Sequence, residues 1–282
     1  MIGFDLDHAL ARYSVWETSR MVYEGLVEAL CLRGYGSECF GGFDARMVRR
    51  GLLFDFVHGD LVLLGSSGRV SEAMHGLRRL RGVELIGRYE GGGLQWRSDA
   101  LGRLRRGEKH SSFFAFVTFF DAAAAQVLAE MVEAVDNGTA PAVESPGDGG
   151  GGGGGYGRLL GEIVSAFDYI FDNVEALRLG RGPLMRAMRE GGASLVFSRP
   201  HLYSTLRTLR SNGIKLTLAT NSQPGFASVV LRASLGSRWR QCFDLVVMNA
   251  GKGAFFANVR PFSAVHHSSG AETDAEEGVE LR

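Results

Sequence analysis

The sequence begins Met-Ile-Gly-Phe-Asp-Leu-Asp, a short apolar run with two aspartates, Asp5 and Asp7, directly behind it. If Ile-Gly-Phe is a strand of a parallel sheet, both carboxylates project from its C-terminal edge, where open α/β sheets build their sites. Two further polar groups stand in the same relation to apolar runs. Thr220-Asn221-Ser222 follows IKLTLA, and Lys252 lies just past FDLVVM. Paired carboxylates can supply a nucleophile and a proton donor, while a hydroxyl and an ammonium can bind anionic oxygens. Taken singly, each has an ordinary reading: the acidic pair as a solvated strand end or helix cap, Thr220 as a turn residue, Lys252 as a surface charge. Their order, each behind an apolar strand, is what points to a common site.

The elements that must position these residues are legible in part. Trp16, Val22, Leu26, Val27 and Leu30 recur at helical spacing, and Gly34 stands where a helix ends, which predicts a helix over roughly 15–33. The stretch RGLLFDFVHGDLVLLGSSGRV holds two apolar runs about His58-Gly59-Asp60 and a second turn at Ser66-Ser67-Gly68, the pattern of a short β flap. An aromatic-rich segment, FFAFVTFF, runs into a predicted helix through DAAAAQVLAEMVEAV, and helical patterning resumes over 157–176. Pro200 opens another helix that Gly213 closes, and IKLTLA and DLVVM follow as strands. Residues 82–110, rich in Gly and Arg, carry no clear pattern. The stretch about 137–157 has the composition of a disordered Gly-rich loop, and with no Lys-Ser/Thr after the glycines and no strand before them it is not a phosphate loop.

Composition narrows the class. The 282 residues are 45% apolar, enough for a real core in one large domain or two modest ones. Thirty-one basic residues balance thirty-one acidic ones, so no overall field recruits nucleic acid or an anionic membrane. Three cysteines, Cys31, Cys39 and Cys242, show neither a disulfide framework nor zinc-ligand spacing, which predicts a reducing, cytoplasmic compartment. No apolar run reaches the ~20 residues of a membrane span. The basic clusters Arg46, Arg49, Arg50 and Arg103, Arg105, Arg106, Lys109 read as a solvated face or phosphate contacts, and His266-His267 as a tail pair.

The segments GFDLDHALARY, RGLLFDFVHGDLVLLGSSGRVSEAMHG, LATNS and FDLVVMNAGKGAFFANVRPF resemble the cytosolic 5′-nucleotidase family of haloacid-dehalogenase-like phosphatases, closest to its 5′-nucleotidase domain-containing members. The resemblance implies an α/β fold: a Rossmann-like core over 1–38 and 196–282 with a β flap and a mostly helical cap inserted over 39–195. It implies a magnesium-dependent phosphomonoester hydrolase acting through an aspartyl-phosphate on a small-molecule substrate, a nucleoside monophosphate, with no nucleic-acid or membrane partner and with homo-oligomers open to it. By that resemblance Asp5 is the nucleophile, Asp7 the general acid and base, Thr220, Asn221 and Lys252 bind the substrate phosphate, and Asp5 with the Asp7 main-chain carbonyl holds the metal. Asp121 reads as a helix cap, and Tyr23, Glu24 and His75 echo family positions.

The sequence also departs from the family. Ala9 stands where threonine is usual, removing a hydroxyl that braces the aspartate loop, and in the flap Leu63 and Asp60 replace a lysine and an asparagine. The fourth motif, an acidic strand end of the GDxxxxD kind, does not follow Lys252, and the polar stretch HHSSGAETDAEEGVELR carries no expected strand. The core is therefore expected to be incomplete, with the first strand at an open sheet edge and magnesium weakly held. The alternative function is an inactive, truncated member serving as a phosphate-binding or interaction module.

Overall fold

The computed structural model describes residues 1–67, 69–89, 113–116, 118–141, 156–171, 195–252, 263–266 and 277–280. In chain order its elements are β1 (Ile2–Phe4), β2 (Arg12–Tyr13), α1 (Val15–Cys31), β3 (Leu52–Asp55), β4 (Asp60–Leu64), β5 (Val70–His75), β6 (Arg78–Arg79), α2 (Gly82–Tyr89), β7 (Phe113–Ala115), α3 (Phe119–Ala122), α4 (Ala124–Asp136), α5 (Gly157–Phe171), β8 (Val196–Phe197), α6 (Pro200–Ser211), β9 (Leu216–Ala219), α7 (Pro224–Leu235), β10 (Leu245–Val247), β11 (Ser263–His266) and β12 (Glu277–Glu280). The chain divides into two compact units, residues 1–18 with 171–282 and residues 19–170. The expected boundaries after residues 38 and 195 keep α1 whole, whereas this division runs through it.

The first unit holds a parallel sheet in the order β1-β9-β10. Gly3 and Phe4 are level with Thr217 and Leu218, and Val246 and Val247 with Leu218 and Ala219. Leu216 and Leu218 are fully buried on alternate positions of β9, as a central strand requires. Parallel neighbours need a crossover, and α7 supplies it between β9 and β10. Pro200 starts α6, where a missing N–H costs nothing, and Gly213 ends it at φ +81°, while the Ile214 N–H reaches back to the Leu209 carbonyl at 3.2 Å. Gly34 ends α1 in the same way at φ +98°, with Tyr35 N–H on the Leu30 carbonyl. Among the described residues β1 is an outer strand, paired only with β9. The tail, by contrast, is not strandless: β11 and β12 pair antiparallel, with Ala264 opposite Val279 and Val265 opposite Gly278. Each strand carries one valine, a residue that favours extended backbone.

The second unit is built on an antiparallel sheet in the order β6-β5-β4-β3-β7. Leu53, Val62, Ala73, Leu80, Tyr89 and Phe113 form a buried cluster here. Thr118 caps α3, and Asp121 completes a capping box by accepting from the Thr118 N–H at 2.7 Å. Glu24 pairs with Arg20, and Arg46, Arg49 and Arg50 are engaged by Asp44, Glu72 and the Phe119 ring. Arg103, Arg105, Arg106, Lys109, His267 and most of the Gly-rich stretch lie outside the described residues.

Where β3 turns into β4, Asp55 and Asp60 face each other, 1% and 0% exposed. Carboxylates directly opposite across a strand pair repel. Here Tyr89 donates to both, at 3.1 and 2.6 Å, Arg88 donates to both oxygens of Asp60, and His58 and His75 bond Asp55 and Asp60 at 2.7 and 2.8 Å. His75 also reaches Asp136 at 2.9 Å.

Pairing of a phenol with a carboxylate recurs throughout. Of the seven tyrosines, six donate to one: Tyr13 to Asp7, Tyr23 to Glu130, Tyr35 to Glu162, Tyr89 to Asp60, Tyr156 to Asp136 and Tyr169 to Glu28. Burial, then the neighbouring anion, pushes the phenols of Tyr13, Tyr23, Tyr35 and Tyr89 well above their ordinary value, and Tyr156 up to about 12. The linkage has one sign. Above pH ~10 the unfolded chain releases phenolic protons that the folded chain keeps, so stability falls as pH rises. Urea midpoints measured between pH 7 and 11 should therefore be flat to about pH 9 and then drop steadily.

Candidate active site

The register of the parallel sheet puts the C-terminal ends of β1, β9 and β10 at one edge, and the loops leaving them carry the predicted residues. Asp5 follows β1 directly. Its Oδ1 accepts from the Leu6 N–H at 2.7 Å and lies 2.6 Å from Lys252 Nζ, with the aspartate side chain 48% and the lysine 36% exposed. Among the described residues, no donor is hydrogen-bonded to Asp5 Oδ2. Asp5 thus presents one oxygen fixed by an ammonium and an amide and one oxygen open.

Asp7 is held differently. Tyr13 donates its phenol to Oδ1 at 2.5 Å, and Ser222 donates its hydroxyl to Oδ2 at 2.8 Å. His8, between the aspartates and Tyr13, takes φ +61°, and its ring lies edge-on to Tyr13 at 5.4 Å. A non-glycine residue in that region is held there by its surroundings. Leu6 and Leu10 are buried to either side of Asp7, and the Leu6 carbonyl accepts from the Leu10 and Ala11 N–H groups, closing the loop on itself. Arg199 Nη1 donates to the carbonyls of Ala9 at 3.1 Å and Leu10 at 3.3 Å, and the Ser234 hydroxyl to Leu10 at 3.0 Å.

The other two loops are tied together. Lys252 N–H donates to Asn221 Oδ1 at 2.8 Å, Ala250 N–H to the Thr220 carbonyl and Asn249 N–H to the Ser222 carbonyl, each at 2.9 Å. Asn249 takes φ +50° to make this turn. Thr220 is fully buried, and its hydroxyl accepts from the Ser222 N–H at 3.0 Å, so it shapes the loop that aims Ser222. Asn221 is exposed and fixes the backbone of Lys252.

The predicted set is therefore brought together in part. Asp5 and Lys252 touch, and Asp7 and Asn221 lie in the adjoining loops, while Thr220 faces inward. Tyr13, Arg199 and Ser234 are the residues sequence reasoning missed, and Ser222 stood among the polar residues at the strand end without a role of its own. Tyr13 and Ser222 sit inside the stretches DLDHALARY and LATNS, so their signal was proximity. Arg199 and Ser234 lie 190 and 224 residues from the carbonyls they hold, and no local pattern marks them.

Aspartates, hydroxyls and a lysine thus stand together at the C-terminal ends of parallel strands in a mixed α/β unit. The chain belongs to the 5′ nucleotidase family, a haloacid-dehalogenase-like family whose pattern it matches over residues 1–280. It is 25% identical over 282 aligned residues to human 5′-nucleotidase domain-containing protein 1 and 24% identical to the bovine protein of that name. Both matches cover 96% of this chain and 58% of the relative, so the chain spans less than two thirds of their length. Human 5′-nucleotidase domain-containing protein 2 is 34% identical over 73 residues, 26% of this chain and 14% of that protein. No described helix is long and apolar enough to cross a membrane.

An ion pair this exposed adds little to stability, typically ~0–1 kcal/mol. Lys252→Ala should leave the urea midpoint almost unchanged, a loss below about 1 kcal/mol. A larger loss would mean that the pair holds the fold together.

Proposed function

We infer that the chain is a magnesium-assisted phosphomonoester hydrolase acting on nucleoside 5′-monophosphates or similar esters in the cytoplasm. The observation that carries this reading is the Asp5–Lys252 contact, with no donor among the described residues on Oδ2 of Asp5. A carboxylate is a competent nucleophile only if the phosphate's own charge is offset as it approaches, and an ammonium beside it does that. Asp5 Oδ2 attacks phosphorus, the ester P–O bond breaks, and Asp7 delivers a proton to the departing alkoxide oxygen. In the second half Asp7 takes a proton from water, the water oxygen bonds to phosphorus and the Asp5–phosphorus bond breaks, releasing inorganic phosphate. Lys252, with Asn221 fixing its backbone and Thr220 shaping the neighbouring loop, binds the transferring oxygens.

The donor chemistry suits magnesium: the Asp5 carboxylate, through the oxygen that does not attack, and the Asp7 main-chain carbonyl would offer it hard oxygen ligands. Substrate phosphate and water would complete the shell, since among the described residues no group of three acidic, histidine or cysteine side chains is placed to hold an ion. When bound, the ion supplies charge neutralisation at the phosphate. So sparse a metal set leaves a second reading, a phosphate-binding module without turnover in which Lys252 supplies the charge.

Phosphate release from a panel of nucleoside 5′-monophosphates with magnesium separates the two. Asp5→Asn removes the nucleophile at nearly constant volume and should reduce release to background. Lys252→Ala should lower turnover about a hundredfold or more with the fold intact. Equal rates from the unaltered chain and the Asp5→Asn variant would leave only the binding module.

A further inference from the structure

Asp7 is gripped on both oxygens, and the two grips differ in kind. Ser222 donates from a hydroxyl that rotates about a single bond and sits in a loop. Tyr13 donates from a ring that is 5% exposed, packed edge-on against His8, and anchored at the end of β2, where it pairs with Val196. A phenol O–H lies near the ring plane, so once the ring is fixed its hydrogen-bond direction is fixed too. The loop between them is independently braced: Arg199 and Ser234 hold the carbonyls of Ala9 and Leu10, on the stretch that joins Asp7 to Tyr13. Ala9 carries no hydroxyl that could do this from within the loop.

We propose that Tyr13 is the positioning residue for Asp7, setting the carboxyl plane so that the oxygen beside Ser222 faces the leaving group of the phosphoester. Ser222 can turn aside as that oxygen delivers its proton to the alkoxide, whereas Tyr13 stays in place. The assignment rests on the phosphohydrolase reading and adds to it a dependence on the leaving group. An alkoxide departs only with a proton, so its ester needs Asp7 held in line. p-Nitrophenolate is a stable anion and departs without one.

The experiment compares kcat/KM for an alkyl phosphate, a nucleoside 5′-monophosphate, with that for p-nitrophenyl phosphate, in the unaltered chain and in Tyr13→Phe, with magnesium present. The ratio kcat/KM ends at leaving-group departure, so the later attack of water does not enter it. Tyr13→Phe should lower the alkyl ester's kcat/KM about tenfold or more and the aryl ester's less than about threefold. Because both esters are read on one sample, any unfolded fraction cancels from the comparison. Equal losses on the two esters, or none on the alkyl ester, would overturn the role of Tyr13 while leaving the hydrolase reading standing. No phosphate from either ester with the unaltered chain would overturn that reading and the Tyr13 role with it.

Discussion

Everything at the candidate site depends on the parallel pairing through β9. A parallel register sets which residues are level at the strand ends, and here Phe4 and Val246 flank Leu218. One step further, Asp5 leaves β1 beside the last pair of β9 and β10, Ala219 with Val247, and Thr220 N–H reaches the Val247 carbonyl at 2.9 Å. A slip of one residue in either pairing would turn these side chains to the opposite face and carry Lys252 away from Asp5. The buried leucines of β9, Leu216 and Leu218, are what make such a slip costly.

Within that frame the site is held by many weak, directed bonds rather than by a dense core. The loop after β1 closes on the Leu6 carbonyl and is clamped from outside by Arg199 and Ser234. The loops after β9 and β10 are sewn together by three backbone N–H groups. Two residues with positive φ, His8 and Asn249, sit in these same loops. Local strain of this kind persists only where surrounding bonds over-determine the backbone. Ala9 offers no hydroxyl to brace the loop from within, yet a guanidinium from the start of α6 takes the carbonyls of Ala9 and Leu10.

The strands and helices that carry the site were legible because each has a local cause. Periodicity marks α1, proline and glycine punctuate α6, and apolar runs mark β1, β9 and β10. Asp5 and Lys252 were legible as a pair because both follow strands in a recognisable order. Thr220 was legible as a position but not as an orientation: whether a hydroxyl faces solvent or its own loop depends on a turn that side-chain pattern does not encode. Arg199 and Ser234 were not legible at all, since their partners are carbonyls, which have no sequence signature. In the flap, the turn at His58-Gly59 was readable from spacing, whereas the burial of Asp55 and Asp60 was not, because residue type alone places aspartate outside.

That buried pair makes the order of assembly in the second unit conditional. A hairpin joined by a four-residue turn would ordinarily close first and alone. Here closure sets two carboxylates opposite each other in a dry setting; His58 within the turn bonds Asp55, but Arg88 and Tyr89, which also bond the pair, come 28 and 34 residues later than Asp60 and Asp55. The hairpin therefore reaches its full set of bonds only with the end of α2 docked against it, a distant contact added to the local ones. The flap and α2 are thus linked through these carboxylates, since any opening that releases the end of α2 strips Asp55 and Asp60 of the Tyr89 and Arg88 donors.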